Sequence, residues 1–186
     1  MPLSKFILDY LRVKKRAVVV VFRKLFFFNF FSTLNIVIGK NLIIRGGQGI
    51  KSIGYNLCIY DNVIFECHNP NSKLIIGNNC VLSFGVIISY KKQITIGDNV
   101  WVGEYSSVRD STHRFSIDSP IGLNKDMVAS IHIGDNVWIG RNSIIMPGTV
   151  IGNNVIIGAN SLVRGNIQSN SLYAGSPAIF KKYLTD

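Results

Sequence analysis

The sequence is poor in the features that mark several large protein classes. Only three cysteines occur in 186 residues, Cys58, Cys67 and Cys80. No two form a CxxC pair and none stands at zinc-site spacing from a histidine, which argues against a disulfide scaffold and a structural zinc site. Small apolar packing residues in a reducing cytoplasm are their expected role. Long apolar runs are missing as well. The two longest near the N-terminus, residues 17–22 and 25–31, are parted by Arg23 and Lys24, and each falls short of the roughly 18 residues that span a bilayer. The same interruption, with no small-residue cleavage site after it, argues against a signal peptide. Acidic residues are scarce, 10 against 20 lysines and arginines, for a net charge of +10.

That excess is concentrated. Residues 1–32 hold Lys5, Arg12, Lys14, Lys15, Arg16, Arg23 and Lys24 against Asp9 alone, so six of the ten net charges lie there. The remainder is only mildly basic and forms no nucleic-acid-binding stripe. Basic residues beside Phe and Val clusters suit peripheral contact with an anionic membrane surface. They equally suit a cap over the open end of a core, and both readings stand.

What the sequence does have is a beat. From Ile133 every sixth residue is β-branched and apolar: Ile139, Ile145, Ile151, Ile157 and Val163. Three places after each comes Asn136, Asn142, Gly148, Asn154 or Asn160, and four places after comes Val137, Ser143, Thr149, Val155 or Ser161. Gly134, Gly140, Gly152 and Gly158 directly follow the apolar residue. Asn and Gly tolerate the left-handed conformation of a sharp corner, so a corner every six residues is implied. Neither a period-two strand nor a 3.6-residue helix gives this spacing.

Upstream the hexads come in threes: Ile53, Ile59 and Phe65; Ile76, Leu82 and Ile88; Ile96, Val102 and Val108; with a weaker pair, Ile38 and Ile44, before them. Three short faces make one triangular turn. Extra residues interrupt the beat after the third member of each set, five after Phe65, two after Ser89 and nineteen after His113. All therefore leave one corner and build a cleft-forming edge.

The pattern resembles the hexapeptide-repeat acyltransferase superfamily. The resemblance implies an all-β fold, a left-handed parallel β-helix, and a homotrimer. Residues 1–35 are read as a basic, aromatic extension, expected to be helical. Residues 36–170 form the β-helix with a loop over 109–132, and 171–186 a short C-terminal cap. Within the superfamily the chain is similar to the sugar and polysaccharide O-acetyltransferases that include galactoside and maltose acetyltransferases. The matching residues are Asp110-Ser111-Thr112-His113, Ile133-Gly134-Asp135-Asn136-Val137-Trp138-Ile139-Gly140, Pro147-Gly148 and Ala174-Gly175-Ser176-Pro177-Ala178.

This similarity implies that His113 is the catalytic base. The chemistry agrees, because a sugar hydroxyl ionises too weakly near neutral pH to attack a thioester unless a neutral imidazole takes its proton. The other ring nitrogen needs an acceptor, a coil carbonyl or Asp110. For acetyl-CoA the similarity implies Trp138, Gly140, Arg141, Ala159, Asn160, Arg164 and the Gly175-Ser176-Pro177 turn, with Lys181 or Lys182 on the phosphates. The backbone amide of Arg141 is the candidate oxyanion donor, since the side-chain hydroxyl that relatives carry there is absent. Acceptor candidates are Ser83, Tyr90 and Lys91, the last two for stacking on a sugar and pairing with an acidic group. His132 reads as structural and His68 as a neighbour of the acceptor. No metal is expected, because His68, His113 and His132 lack the close pair of a trimeric β-helix carbonic anhydrase.

The expected function is O-acetylation of a surface polysaccharide or its lipid-linked precursor (O-antigen, capsule or exopolysaccharide), in the cytoplasm or on the inner face of its membrane. The rivals are N-acetylation of an amino-sugar nucleotide and a non-catalytic assembly or membrane-anchoring protein. No nucleic-acid partner is expected.

Overall fold

The computed structural model describes residues 36–46 and 49–185. The expected helical, membrane-facing extension lies outside them. The described chain winds into a left-handed, three-sided β-solenoid of six turns. The first face stacks Ile36–Ile38, Leu57–Ile59, Val81–Leu82, Trp101–Val102, Val137–Ile139, Val155–Ile157 and Ser171–Ala174 in parallel. The second stacks Ile43–Arg45, Ile64–Cys67, Ile87–Tyr90, Ser107–Arg109, Ile144–Ile145 and Leu162–Val163. The third stacks Ile50–Ile53, Lys73–Ile76, Gln93–Ile96, Ile131–Ile133, Val150–Ile151 and Asn166–Ile167. A final strand, Ile179–Tyr183, turns back antiparallel on Ser171–Ala174 and closes the C-terminal end. No helix long and apolar enough to cross a membrane occurs among the described residues.

Every apolar member of the hexads from Ile53 to Val163 is buried, and together they form one continuous core. Ile38 is buried too, whereas Ile44, in the first turn, is only half-buried. Ser143, Thr149 and Ser161 also point inward. Their hydroxyls bond carbonyls, Ser143 to Gly158 at 3.1 Å and Thr149 to Val163 at 3.2 Å, so no polar group is stranded there.

The corners explain the asparagines. Asn136, Asn142, Asn154 and Asn160 have φ of 54–57°, and Gly148 has 77°. The four glycines after the apolar residues do not share this conformation, contrary to the sequence reading. They are small because the next turn passes directly over them: a Cβ on Gly134 would sit 2.9 Å from the backbone of Gly152, and one on Gly140 2.5 Å from the amide of Ala159. Asparagine supplies the bend, and glycine the clearance between turns.

Calling the junction of first and second faces the first corner, and so on round, the third corner is asparagine throughout: Asn56, Asn79, Asn99, Asn136, Asn154 and Asn170. Side-chain amides join neighbours at 2.8–3.2 Å, Asn56 to Asn79 and Asn79 to Asn99 in the lower turns, and Asn136 to Asn154 and Asn154 to Asn170 in the upper ones. All three interruptions of the beat leave the second corner, as the spacing implied. The longest folds into an antiparallel arm with Ser111–Thr112 paired to Met127–Val128.

Candidate active site

Register on the arm brings the candidate base to its partner. Thr112 pairs with Met127, so the next residues outward, His113 and Asp126, face each other. His113 Nδ1 lies 3.0 Å from Asp126 Oδ1, and the other carboxylate oxygen accepts from Lys91 Nζ at 2.7 Å. Lys91, and then His113, hold the Asp126 carboxyl below its usual range. It is therefore ionised at neutral pH and can only accept, so Nδ1 of the neutral imidazole carries the proton and Nε2 keeps a lone pair. The ring is 74% exposed, leaving Nε2 accessible to a reactant.

Asp126 thus does what was expected of a carbonyl or Asp110. Asp110 is fully buried. Its carboxylate accepts the amides of Lys91, Lys92 and Gln93 at 2.7–2.8 Å, and its carbonyl accepts Ala129 at 2.9 Å. It ties the base of the arm to the turn below and does not touch His113. Two acceptor candidates are also corrected. Tyr90 is completely buried, with Gly49 making room for its ring. The Lys91 amine is engaged by Asp126 and is not free for an acidic sugar. His68 shares this corner, its Nε2 2.8 Å from the buried Ser89 hydroxyl.

The cofactor candidates gather elsewhere. Trp138, Gly140, Arg141 and Ala159, with Ser83, line one groove of about 600 Å³ along the first corner, completed by Tyr60, Phe84, Trp101, Gly103 and Glu104. Asn160 adjoins it in the corner ladder, bonded to Asn142 at 2.8 Å. The Gly175-Ser176-Pro177 turn sits above it, the Gly175 amide donating to Ser161 Oγ at 3.1 Å. Lys181 lies exposed on the closing strand. Arg164 does not join them. It stands on the second corner, beside Gly165.

A contrast between corners sets this groove apart. At the third corner each turn's exposed amide is capped by a side chain of the next: Asn78 by Asp98 at 2.7 Å, Asp98 by Asp135 at 2.8 Å, Asp135 by Asn153 at 2.8 Å. At the first corner only the lowest turn is capped, Lys40 by Asp61. Above it the capping places hold Phe84, Glu104, Arg141 and Ala159, and the amides of Phe84, Glu104 and Arg141 donate to nothing among the described residues. A row of free N–H groups therefore borders the groove, suited to carbonyl and oxyanion oxygens.

Burial lifts the Cys80 thiol to about 11, and Cys58 is raised by the same cause. Neither has the lowered pKa of a nucleophile. No group of three His, Cys, Asp or Glu side chains able to hold a metal occurs among the described residues.

Comparison with known proteins agrees with this architecture. The profile of the bacterial transferase hexapeptide (six repeats) family matches residues 130–165. A maltose O-acetyltransferase from Clostridium difficile 630 is 30% identical over 74% of this chain and 72% of that one, with a TM-score of 0.65. An N-acyltransferase from Bacillus cereus, solved with dTDP-4-amino-4,6-dideoxyglucose and coenzyme A, is 25% identical over 82% of this chain and 83% of its own, with a TM-score of 0.73. A hexapeptide-repeat acetyltransferase from Vibrio cholerae O1 biovar eltor, complexed with acetyl coenzyme A, shares the fold at 24% identity, covering 86% and 74% of the two chains at a TM-score of 0.58.

Proposed function

The chain belongs to the bacterial hexapeptide-repeat transferases, and from that premise we propose that it is an acetyl-CoA-dependent O-acetyltransferase acting on a sugar hydroxyl. The observation that carries the reading is the fixed tautomer of His113, its Nδ1 held by the ionised Asp126 and its Nε2 exposed. Similar proteins bind coenzyme A or acetyl coenzyme A, and one acts on maltose. The acceptor class proposed is a surface polysaccharide unit or its lipid-linked precursor, handled at the inner face of the cytoplasmic membrane. The basic, aromatic composition of residues 1–32 supports that location.

In the proposed mechanism, Nε2 of His113 takes the hydroxyl proton as the sugar oxygen attacks the thioester carbonyl. The carbonyl oxygen becomes an oxyanion, for which the free amide of Arg141 is the donor. Collapse of the tetrahedral intermediate breaks the carbon–sulfur bond, and the imidazolium returns its proton to the departing thiolate. The acetyl ester and free coenzyme A are the products. Small residues, Gly140 and Ala159, let the pantetheine approach the backbone, while Lys181 supplies a cation for the phosphates.

His113 and the groove stand on different corners of one prism. We therefore place the reaction between two copies, the arm of one reaching the groove of the next in a homotrimer.

The test is His113→Ala in the intact protein. Acetyl transfer to glycans should fall about 10²–10⁴-fold while coenzyme A still binds. Undiminished transfer would remove the base from the mechanism. A second reading, N-acylation of an amino-sugar nucleotide, is favoured by the likeness to the Bacillus cereus enzyme. Acetylation of a dTDP-amino sugar with no reaction on any glycan hydroxyl would select it.

A further inference from the structure

Among the described residues, ten of the eleven non-glycine positions with positive φ are asparagine, and the exception is Tyr105, at φ 58°. A tyrosine gains no local side-chain hydrogen bond there to offset the steric cost of the left-handed region, so the conformation is strained where asparagine would be relaxed. The first-corner column reads Asn41, Asn62, Gly85, Tyr105, Asn142 and Asn160. Its amide ladder runs from Asn41 to Asn62 and from Asn142 to Asn160, and is broken at the two turns between. The third corner, where asparagine holds the left-handed position at every described turn, shows that the fold itself does not require glycine or tyrosine there.

What stands in the gap is an aromatic pair. The Tyr105 ring lies over Gly85, where a Cβ would come within 2.8 Å of it, and meets Phe84 edge to face at 5.3 Å between centroids. Tyr105 is 56% exposed, so the ring offers a face to solvent without being sunk into the core. Phe84 and Tyr60 line the N-terminal half of the same groove whose C-terminal half holds Gly140 and Ala159. The Glu104 carboxylate lies between the halves and has no partner among the described residues.

We propose that Tyr105, braced by Phe84, is the stacking platform for the pyranose ring of the acceptor, with Glu104 accepting from its hydroxyls. The apolar C–H face of a pyranose packs on an aromatic ring, and a free carboxylate beside it matches the hydroxyl edge. Tyr105 stands at the rim, and its neighbours Phe84 and Glu104 line the groove together with Gly140 and Ala159, which sets the sugar next to the thioester. The proposal rests on reading that half as the acyl-donor site.

The test compares wild type with Tyr105→Asn, Phe84→Ala and Tyr105→Phe in the full chain. The probes are methyl β-D-glucopyranoside and methyl β-D-galactopyranoside, observed by saturation-transfer NMR independently of turnover, with coenzyme A titrated separately. Tyr105→Asn restores a residue suited to the corner, so the melting temperature should rise by a few degrees while pyranoside affinity falls about tenfold. Phe84→Ala should weaken the pyranoside likewise, Tyr105→Phe should keep it, and coenzyme A affinity should stay constant in all three. Unchanged pyranoside binding in Tyr105→Asn overturns the platform. Binding of dTDP by wild type, lost in Tyr105→Asn, with no pyranoside bound, overturns it in favour of a nucleobase. Loss of coenzyme A binding in wild type would instead strike the donor-site reading, because the pyranoside signal is read without it.

Discussion

At the scale of single residues the molecule separates two acidic side chains that composition cannot tell apart. Asp110 has its carboxylate filled by three backbone amides, and Asp126 divides its oxygens between a lysine and the imidazole. Replacing Asp126 with Asn keeps the shape but lets Nδ1 face a donor, so the tautomer is no longer fixed. We expect kcat to fall on the order of tenfold to a hundredfold, with coenzyme A affinity retained. A steady-state assay with a coenzyme A titration checks this. The same residue sets an acid limit. Because Lys91, then His113, depress the Asp126 pKa, its hold on the arm is complete above the ordinary carboxylate range near about pH 4 and is lost only as pH falls through the depressed value. Hydrogen exchange over residues 111–128, corrected for intrinsic rate, should be flat from about pH 5 to about pH 8 and should speed up below the carboxylate range. Acceleration at neutral pH would assign control of the arm to another group.

At the scale of the repeating element, each turn depends on a residue that bends and a residue that clears. Asn136 holds φ at 54° and passes its amide to Asn154 at 2.8 Å. Asn136→Ala should cost about 1–2 kcal/mol from the left-handed backbone alone, and Asn136→Gly clearly less because only the side-chain bond is lost. Denaturant melts of the two variants decide it, and equal losses would mean that the ladder bond, not the bend, is what matters. These elements were largely legible in the sequence, because a six-residue beat is local and each inward Ile or Val repeats in the same chemical form. The corner from which the arm leaves was legible for the same reason, as a break in the count. Asp126 was not, because its facing of His113 depends on antiparallel pairing within a segment that has no period. Tyr90 was read as surface because it follows the hexad beyond its usual length. The second-face strand runs on to Tyr90, and the wider corner there accepts a large inward ring over Gly49. The capping contrast between corners also escaped notice, since it shows only when successive turns are compared at the same corner.

At the scale of the whole molecule, the two halves of the proposed reaction occupy separate edges of a rigid prism. The first face carries Trp101 and Trp138 in register and more than half exposed, and the arm presents Phe115, Ile117, Ile121 and Leu123 to solvent. Apolar surface of this extent on the arm and on a flat face is what the proposed association of copies would cover. If the arm of one copy completes the groove of its neighbour, two inactive variants should rescue each other. His113→Ala keeps a sound groove, and Ala159→Trp, whose exposed side chain would fill the groove without entering the coil, keeps a sound arm. In a trimer assembled at random from equal amounts, an arm is intact half the time and the groove it meets is intact half the time. Transfer should therefore recover to about a quarter of the wild-type rate in the unfractionated mixture, and to about a third in purified mixed trimers, each of which holds one intact site of three. A site contained in one copy predicts no recovery, since every protomer then lacks either its base or its groove. Co-expression with two affinity tags, isolation of the mixed species and an acetyl-transfer assay separate these outcomes, provided each variant alone is assembled and inactive.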